Sequence, residues 1–208
     1  MKIVIVLACG ELSRFPDFWD TAYAQLVNKD IVLEKLPTRK GGSHQLSLNM
    51  LTREFLATDG DAMWLLNDDQ VYPQDTLQKL INADKDIVIP LCLQRNMPFR
   101  PIMYDRDDGD TKGLHFRYLN DSDRGLIPIV RSGGGGMLIK RYVLEAMSDP
   151  WWEYKTTYPE GTIPNQSSED INFCRQALDL GFTLWCDTDA PTGHVTNFTI
   201  WPTRNNGK

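Results

Sequence analysis

The chain holds 208 residues, of which 41% are hydrophobic and 24% charged, with a formal net charge of −6. Those proportions fit an ordinary globular protein of one domain, at most with a small appendage, and not a disordered, fibrous or membrane-spanning chain. The acidic balance excludes a polycationic surface that holds nucleic acid by counterion release, and leaves room for a nucleic-acid acceptor held by local contacts.

The first element is "KIVIVLA", residues 2–8, a continuous Ile- and Val-rich run of the kind a strand buried on both faces requires. The apolar stretch, Ile3 to Cys9, is shorter than a usual cleavable h-region, has no helical period and then turns polar. A strand is therefore expected, and a cytoplasmic chain with no membrane attachment. "FPDFWDTAYAQLV" has a helical period through Phe18, Ala22 and Leu26, with Trp19 and Tyr23 one turn apart. "DIVLEKLP" suits a second strand and "RKGGSH" a loop. "HQLSLNMLTREFLATDG" sets Leu46, Met50, Leu51, Phe55 and Leu56 at helical spacing, with Gly60 as its stop. The strand "AMWLLND" follows. Pro73 then stands where a helix starts without losing a needed N–H, and Leu77, Leu80 and Ile81 form its inner face. "DIVIPLCL" is another apolar strand. This alternation predicts an α/β fold with a mostly parallel sheet flanked by helices.

Residues 95–131 differ, with short alternating pieces such as "LHFRYL" and "LIPIVR" that suit hairpin or connecting strands. The acidic run "DRDDGD", residues 105–110, reads as a solvated loop. "GGMLIKRYVLEAM" is a strand turning into a helix. "SSEDINFCRQALDLGF" is an amphipathic helix with Ile171, Cys174, Ala177 and Leu178 inward and Gly181 past its end. "TLWCDTDAPTGHV" is a last strand and turn, and "RNNGK" a mobile tail. Cys9, Cys92, Cys174 and Cys186 form no C-x-x-C pair, which argues against structural zinc and for free thiols in a reducing compartment.

Chemistry is expected where "WLLNDDQ" ends its strand, because the carboxyl ends of strands form the ligand crevice of open α/β sheets. Adjacent carboxylates there repel one another unless water or a shared cation relieves them. A hard divalent cation with oxygen ligands does so, and brings a diphosphate with it. A solvated Asx-rich turn is the plainer alternative. Glu169 and Asp170 open the acidic helix, either to complement its dipole or to place a carboxylate that takes a proton from a hydroxyl. The run "RSGGGGMLIKR" leads into a strand where glycine packs nothing, which suits close approach of a ligand or an irregular turn. Trp151 and Trp152 either offer an apolar platform to a sugar or base, or cap the core.

In order along the chain, "WLLNDDQVYPQDTLQKLI", "DIVIPLCLQR", "GGGGMLIKRYVLEAM", "PWWEY", "SSEDINFCRQALDLGFTLWCD" and "GHV" resemble the blocks of small GT-A fold glycosyltransferases. The resemblance is to the family 2-like type common in bacteriophages, and covers most of residues 62–196. The opening "VLACGELSRFPDFWDTAYAQL" fits the family's nucleotide-binding start more loosely. The resemblance implies a GT-A domain over 1–208, with a nucleotide-sugar-binding half at 1–94, an acceptor-side half at 95–200 and a tail at 201–208. It implies a Mn²⁺ or Mg²⁺ ion held by Asp69 and His194, and a nucleotide-diphosphate sugar donor contacted by Asn67, Asp68, Gly134, Gly135, Gly136 and Trp152. It assigns Asp170 as the base of an inverting transfer, beside Glu169. Asn67 departs from the family's Asp-x-Asp pattern, bringing no charge, so Asp68 either compensates or takes over the metal by a shifted register. The acceptor is a modified DNA base, a glycan or a protein.

Two rival readings stand beside this one. "VLACGELSRFP" is similar to the glycine-rich opening of sugar nucleotidyltransferases, but Leu12 stands where a glycine should admit phosphate. A catalytically silent module that binds nucleotide or glycan on the same fold is the other.

Overall fold

A computed structural model describes residues 1–9, 18–22, 32–35, 39–40, 43–107, 114–158 and 165–196. Its strands are β1 (Lys2–Cys9), β2 (Val32–Lys35), β3 (Arg39–Lys40), β4 (Ala62–Asn67), β5 (Gln70–Val71), β6 (Ile87–Leu91), β7 (Met103–Asp107) and β8 (Leu114–Phe116). They continue with β9 (Leu126–Ile129), β10 (Arg131–Ser132), β11 (Leu138–Lys140), β12 (Lys155–Thr157), β13 (Asn165–Ser167), β14 (Leu184–Pro191) and β15 (Gly193–His194). The helices are α1 (His44–Leu56), α2 (Thr76–Ala83), α3 (Arg141–Ala146) and α4 (Glu169–Asp179). Residues 18–22 are also helical. The expected nucleotide-binding opening and the tail lie largely outside the described residues.

An 8-stranded sheet runs in the order β2-β1-β4-β11-β6-β14-β9, with β3 also on β1. β1 is parallel to β2, β3 and β4, and β14 is parallel to β6. β11 runs antiparallel between β4 and β6, and β9 antiparallel on β14. The expected mostly parallel sheet is therefore interrupted at its centre. The reason is local: the glycine turn before β11 sits at the carboxyl end of β4, where Gly136 N–H donates to Leu65 O at 2.9 Å. A chain arriving there can only run back down the sheet.

The continuous apolar runs are explained by burial on both faces. Val4, Val6, Met63, Leu65, Ile87 and Ile139 face one cluster, with Leu48, Leu51 and Phe55 of α1 and Phe173, Cys174 and Ala177 of α4. Their alternating neighbours Ile3, Ile5, Leu7, Trp64, Leu66, Val88 and Leu138 face the other, with Leu77 and Leu80 of α2. Each such side chain contributes about 1.5–3 kcal/mol when fully buried. α1 is capped by Ser43, whose Oγ accepts from Leu46 N–H at 3.2 Å. Its inner face is turned relative to the expected one: Leu46 is 52% exposed, while Leu48 is buried. α2 begins at Thr76, three residues after Pro73.

Asp107 corrects the reading of residues 105–110 as a solvated loop. It ends β7 with its side chain 7% exposed, 2.7 Å from Arg131 Nη2 and 3.0 Å from Arg175 Nη2. A carboxylate leaves water when two guanidinium groups replace its hydration, and both arrive from other elements. Residues 108–110 lie outside the described set. Cys92, Cys174 and Cys186 are free and buried as expected. Among the described residues no helix is long and apolar enough to cross a membrane.

Candidate functional site

At the carboxyl ends of β4 and β6 lies a cavity of about 210 Å³. Asn67, Asp69, Gln70, Arg95, Gly133 to Gly135, Asp170 and His194 are among the residues lining it. Five segments far apart in sequence thus meet at one place.

Backbone pairing brings Asp69 and His194 together. β15 pairs antiparallel with β5, setting His194 opposite Gln70, and Val195 N–H donates to Asp69 O at 2.8 Å. His194 Nδ1 lies 2.7 Å from Leu93 O. A carbonyl only accepts, so Nδ1 carries a proton and Nε2 is left facing Asp69 Oδ2 at 3.5 Å. Burial works against the imidazolium, but the Asp69 bond, the Cys92 sulfur and the Leu93 carbonyl outweigh it and push the imidazole up to about 10. Burial likewise raises the Asp69 carboxyl, while the bond and charge of His194 and the Arg95 guanidinium hold it below its ordinary value. Arg95 Nη1 stands 3.2 Å from the same Oδ2.

Asp69 Oδ1 and Asn67 Oδ1 are buried without a hydrogen-bond partner among the described residues. An orphaned acceptor beside an imidazole whose other nitrogen is fixed on a carbonyl is the donor set a divalent cation takes. Among the described residues no group of three or more His, Cys, Asp or Glu can hold an ion by itself. A cation here would complete its shell with ligand oxygens, as Mg²⁺-type ions do with phosphates.

Asp170 forms the opposite wall. Its Oδ2 accepts Gly134 N–H at 3.2 Å and its Oδ1 accepts Ile171 N–H at 2.9 Å and the Ser168 hydroxyl. Burial pushes this carboxyl up; the Ser168 bond opposes the push and the Glu169 charge reinforces it. Glu169 faces elsewhere. It is buried 3.7 Å from His44 Nε2 and accepts from Tyr154, whose hydroxyl is raised by burial and by that bond. Successive residues of a helix point about 100° apart, so an adjacent acidic pair cannot serve one point.

The glycines divide in the same way. Gly134 and Gly135 line the cavity. A Cβ on Gly135 would meet Gln70 Nε2 at 2.2 Å, and Gln70 is held by the Tyr72 hydroxyl at 2.7 Å. Gly136 lies behind, with φ +77° and Pro90 Cγ 2.5 Å from a hypothetical Cβ. Trp152 corrects the expectation of a donor platform. It is fully buried, stacked on Phe173 with centroids 4.2 Å apart, and its Nε1 donates to Thr52 Oγ1 at 2.9 Å. Trp151 also caps the core, donating to Leu144 O at 2.8 Å. Asp68 adjoins Asp69 in the turn before β5 and is partly buried.

Sequence reasoning assigned nothing to Arg95, Gln70 or Ser132, all of which line the cavity. A signal for Arg95 was available: "LCLQR" puts a guanidinium just past the carboxyl end of an apolar strand, where the ligand crevice of an open α/β sheet lies.

No family model matches the chain, and no curated protein matches it. Among solved structures it is similar to A197 from STIV, with a TM-score of 0.66 and 17% identity over 99% of this chain and 92% of that one. A putative glucose-1-phosphate thymidylyltransferase from Bacillus anthracis in complex with a sucrose is also similar, with a TM-score of 0.49 and 12% identity over 93% and 89%. At such identities likeness bears on the fold alone. The chain has a mixed α/β fold, a mostly parallel central sheet flanked by helices, and shares that fold with A197 from STIV.

Proposed function

We propose that the chain is a metal-dependent glycosyltransferase that moves a sugar from a nucleotide-diphosphate donor to an acceptor hydroxyl with inversion. The observation that carries this reading is the meeting of Asp69 and His194 at 3.5 Å on one wall of a cavity whose other wall holds Asp170. Asp69 and His194 are the residues that would hold Mn²⁺ or Mg²⁺. Such an ion supplies charge stabilisation to a departing diphosphate. Asp170 acts on the acceptor side: its carboxylate, oriented by the Gly134 and Ile171 N–H groups, takes the proton of the attacking hydroxyl. A raised carboxyl is the better base, since it binds the proton more tightly. The Ser168 hydroxyl donates to the same Oδ1 as Ile171 N–H and limits the carboxylate's rotation. The acceptor class, glycan, protein or modified DNA base, is a matter for assay.

A thermal-shift screen of nucleoside diphosphates with and without Mn²⁺ tests the reading, since a ligand of the native state raises its stability. Stabilisation by one nucleoside diphosphate, dependent on Mn²⁺ and lost in Asp69→Ala, is expected. Stabilisation that survives Asp69→Ala would remove the metal assignment, and release of pyrophosphate on turnover would replace glycosyl with nucleotidyl transfer.

A further inference from the structure

The segment after β6 is anchored beside the Asp69 site. Leu93 O accepts His194 Nδ1–H, and Gln94 N–H donates to Arg100 O at 2.8 Å, closing a loop that carries Arg95. Arg95 Nη1 and His194 Nε2 both address Asp69 Oδ2, at 3.2 and 3.5 Å, while Oδ1 has no partner among the described residues. Two cationic groups on one oxygen is a poor use of a guanidinium, which has five N–H donors in a planar fork suited to two oxygens at once. The Arg95 side chain is 45% exposed and that of Asp69 17%. The guanidinium itself stays within reach of water, so its pairing contributes little to stability. Its placement in the cavity wall therefore calls for another explanation than folding.

We infer that Arg95 is a diphosphate-binding residue that occupies Asp69 in the ligand-free protein and transfers its guanidinium to the diphosphate when donor and cation enter together. This rests on the reading of the site as a metal–diphosphate site. A guanidinium 3.2 Å from Asp69 Oδ2 repels a divalent cation drawn to the same carboxylate. A diphosphate removes that obstacle, because its oxygens accept the fork more favourably than one shared carboxylate oxygen does. The cation and the diphosphate then assist one another through one mobile side chain.

The consequence is a pair of changes of opposite sign. In Arg95→Ala, Mn²⁺ alone should bind more tightly than in the natural protein. Inorganic pyrophosphate with saturating Mn²⁺ should bind about tenfold more weakly or worse, the usual loss for a charged hydrogen bond. Arg95→Lys should recover part of the pyrophosphate affinity. Calorimetric titration of the full chain with Mn²⁺ alone, and with pyrophosphate in the presence of Mn²⁺, reads both quantities without turnover. A variant that merely loosened the loop would weaken both. Equal pyrophosphate affinity in the natural protein and Arg95→Ala, or weaker Mn²⁺ binding in the variant, overturns the role of Arg95 and leaves the site reading standing. Failure of the natural protein to bind Mn²⁺ with pyrophosphate overturns both.

Discussion

Gly136→Ala separates a glycine required by packing from one required only by its backbone angle. Gly136 has φ +77°, and an added Cβ would stand 2.5 Å from Pro90 Cγ, 3.0 Å from Pro90 Cδ and 3.0 Å from Tyr72 Cε1. A proline ring cannot swing aside, and Tyr72 is fully buried between Trp64 and Phe18. Gly181, after α4, is the comparison: its φ is +89° and a Cβ there meets nothing within 4 Å. Both alanines suffer the left-handed backbone cost of roughly 1–2 kcal/mol. Both recover about 0.4–1 kcal/mol from a stiffer unfolded chain. Only Gly136→Ala adds overpacking, about 1–3 kcal/mol. It should therefore be less stable than Gly181→Ala by about 1–3 kcal/mol, a gap of roughly 2–12 °C in Tm for a chain of this size. Urea titration followed by far-UV circular dichroism measures the difference, with equal slopes expected for the two variants. Coincident midpoints would refute the claim that Gly136 is held against Pro90 and Tyr72.

Four further outcomes follow from the geometry. Asp170→Asn should abolish transfer while leaving the fold intact at neutral pH. Burial raises the Asp170 carboxyl, so the stability it contributes is present below the ordinary carboxylate pKa and already lost above the folded value. By the same sign, turnover by the natural protein should fall as pH drops through a value above the ordinary aspartate pKa of 3.8; an acid limb at or below 3.8 would remove Asp170 as the base. Trp152→Ala should cost about 3–5 kcal/mol in urea titration, as buried aromatic truncations do, with unchanged donor affinity in the molecules that remain folded. A donor defect without a stability defect would restore the platform reading. Asp107→Ala should cost about 3–5 kcal/mol, because two partly or wholly buried guanidinium groups lose their anion; a neutral effect would show that water already satisfies them.

The elements were legible because their cause is local. Runs such as "KIVIVLA" and "DIVIPLCL" alternate between two buried faces, and the spacing of Ile171, Cys174 and Ala177 reports one helix face. The presence of carboxylates at a strand end, and of a histidine after the last long strand, was likewise plain, and the resemblance to GT-A glycosyltransferases joined them. Other features were not local. Leu46 and Leu48 are both compatible with an inner face, and only the sheet beneath α1 selects Leu48. Trp152 is committed to the core by Phe173 and Thr52, more than twenty residues away in each direction. Asp107 looks like a surface charge until Arg131 and Arg175 arrive beside it.

By itself, then, the sequence determined the apolar strands, the amphipathic helices and the inventory of groups able to do chemistry, since these depend on neighbours a few residues apart. The tertiary structure alone decided that β11 runs backwards through the middle of the sheet, that Asp170 enters the cavity while Glu169 leaves it, and that Arg95 and His194 share one oxygen of Asp69. Periodicity records which face of an element is buried, but not which distant segment buries it. That choice is made by the order of strands in the sheet.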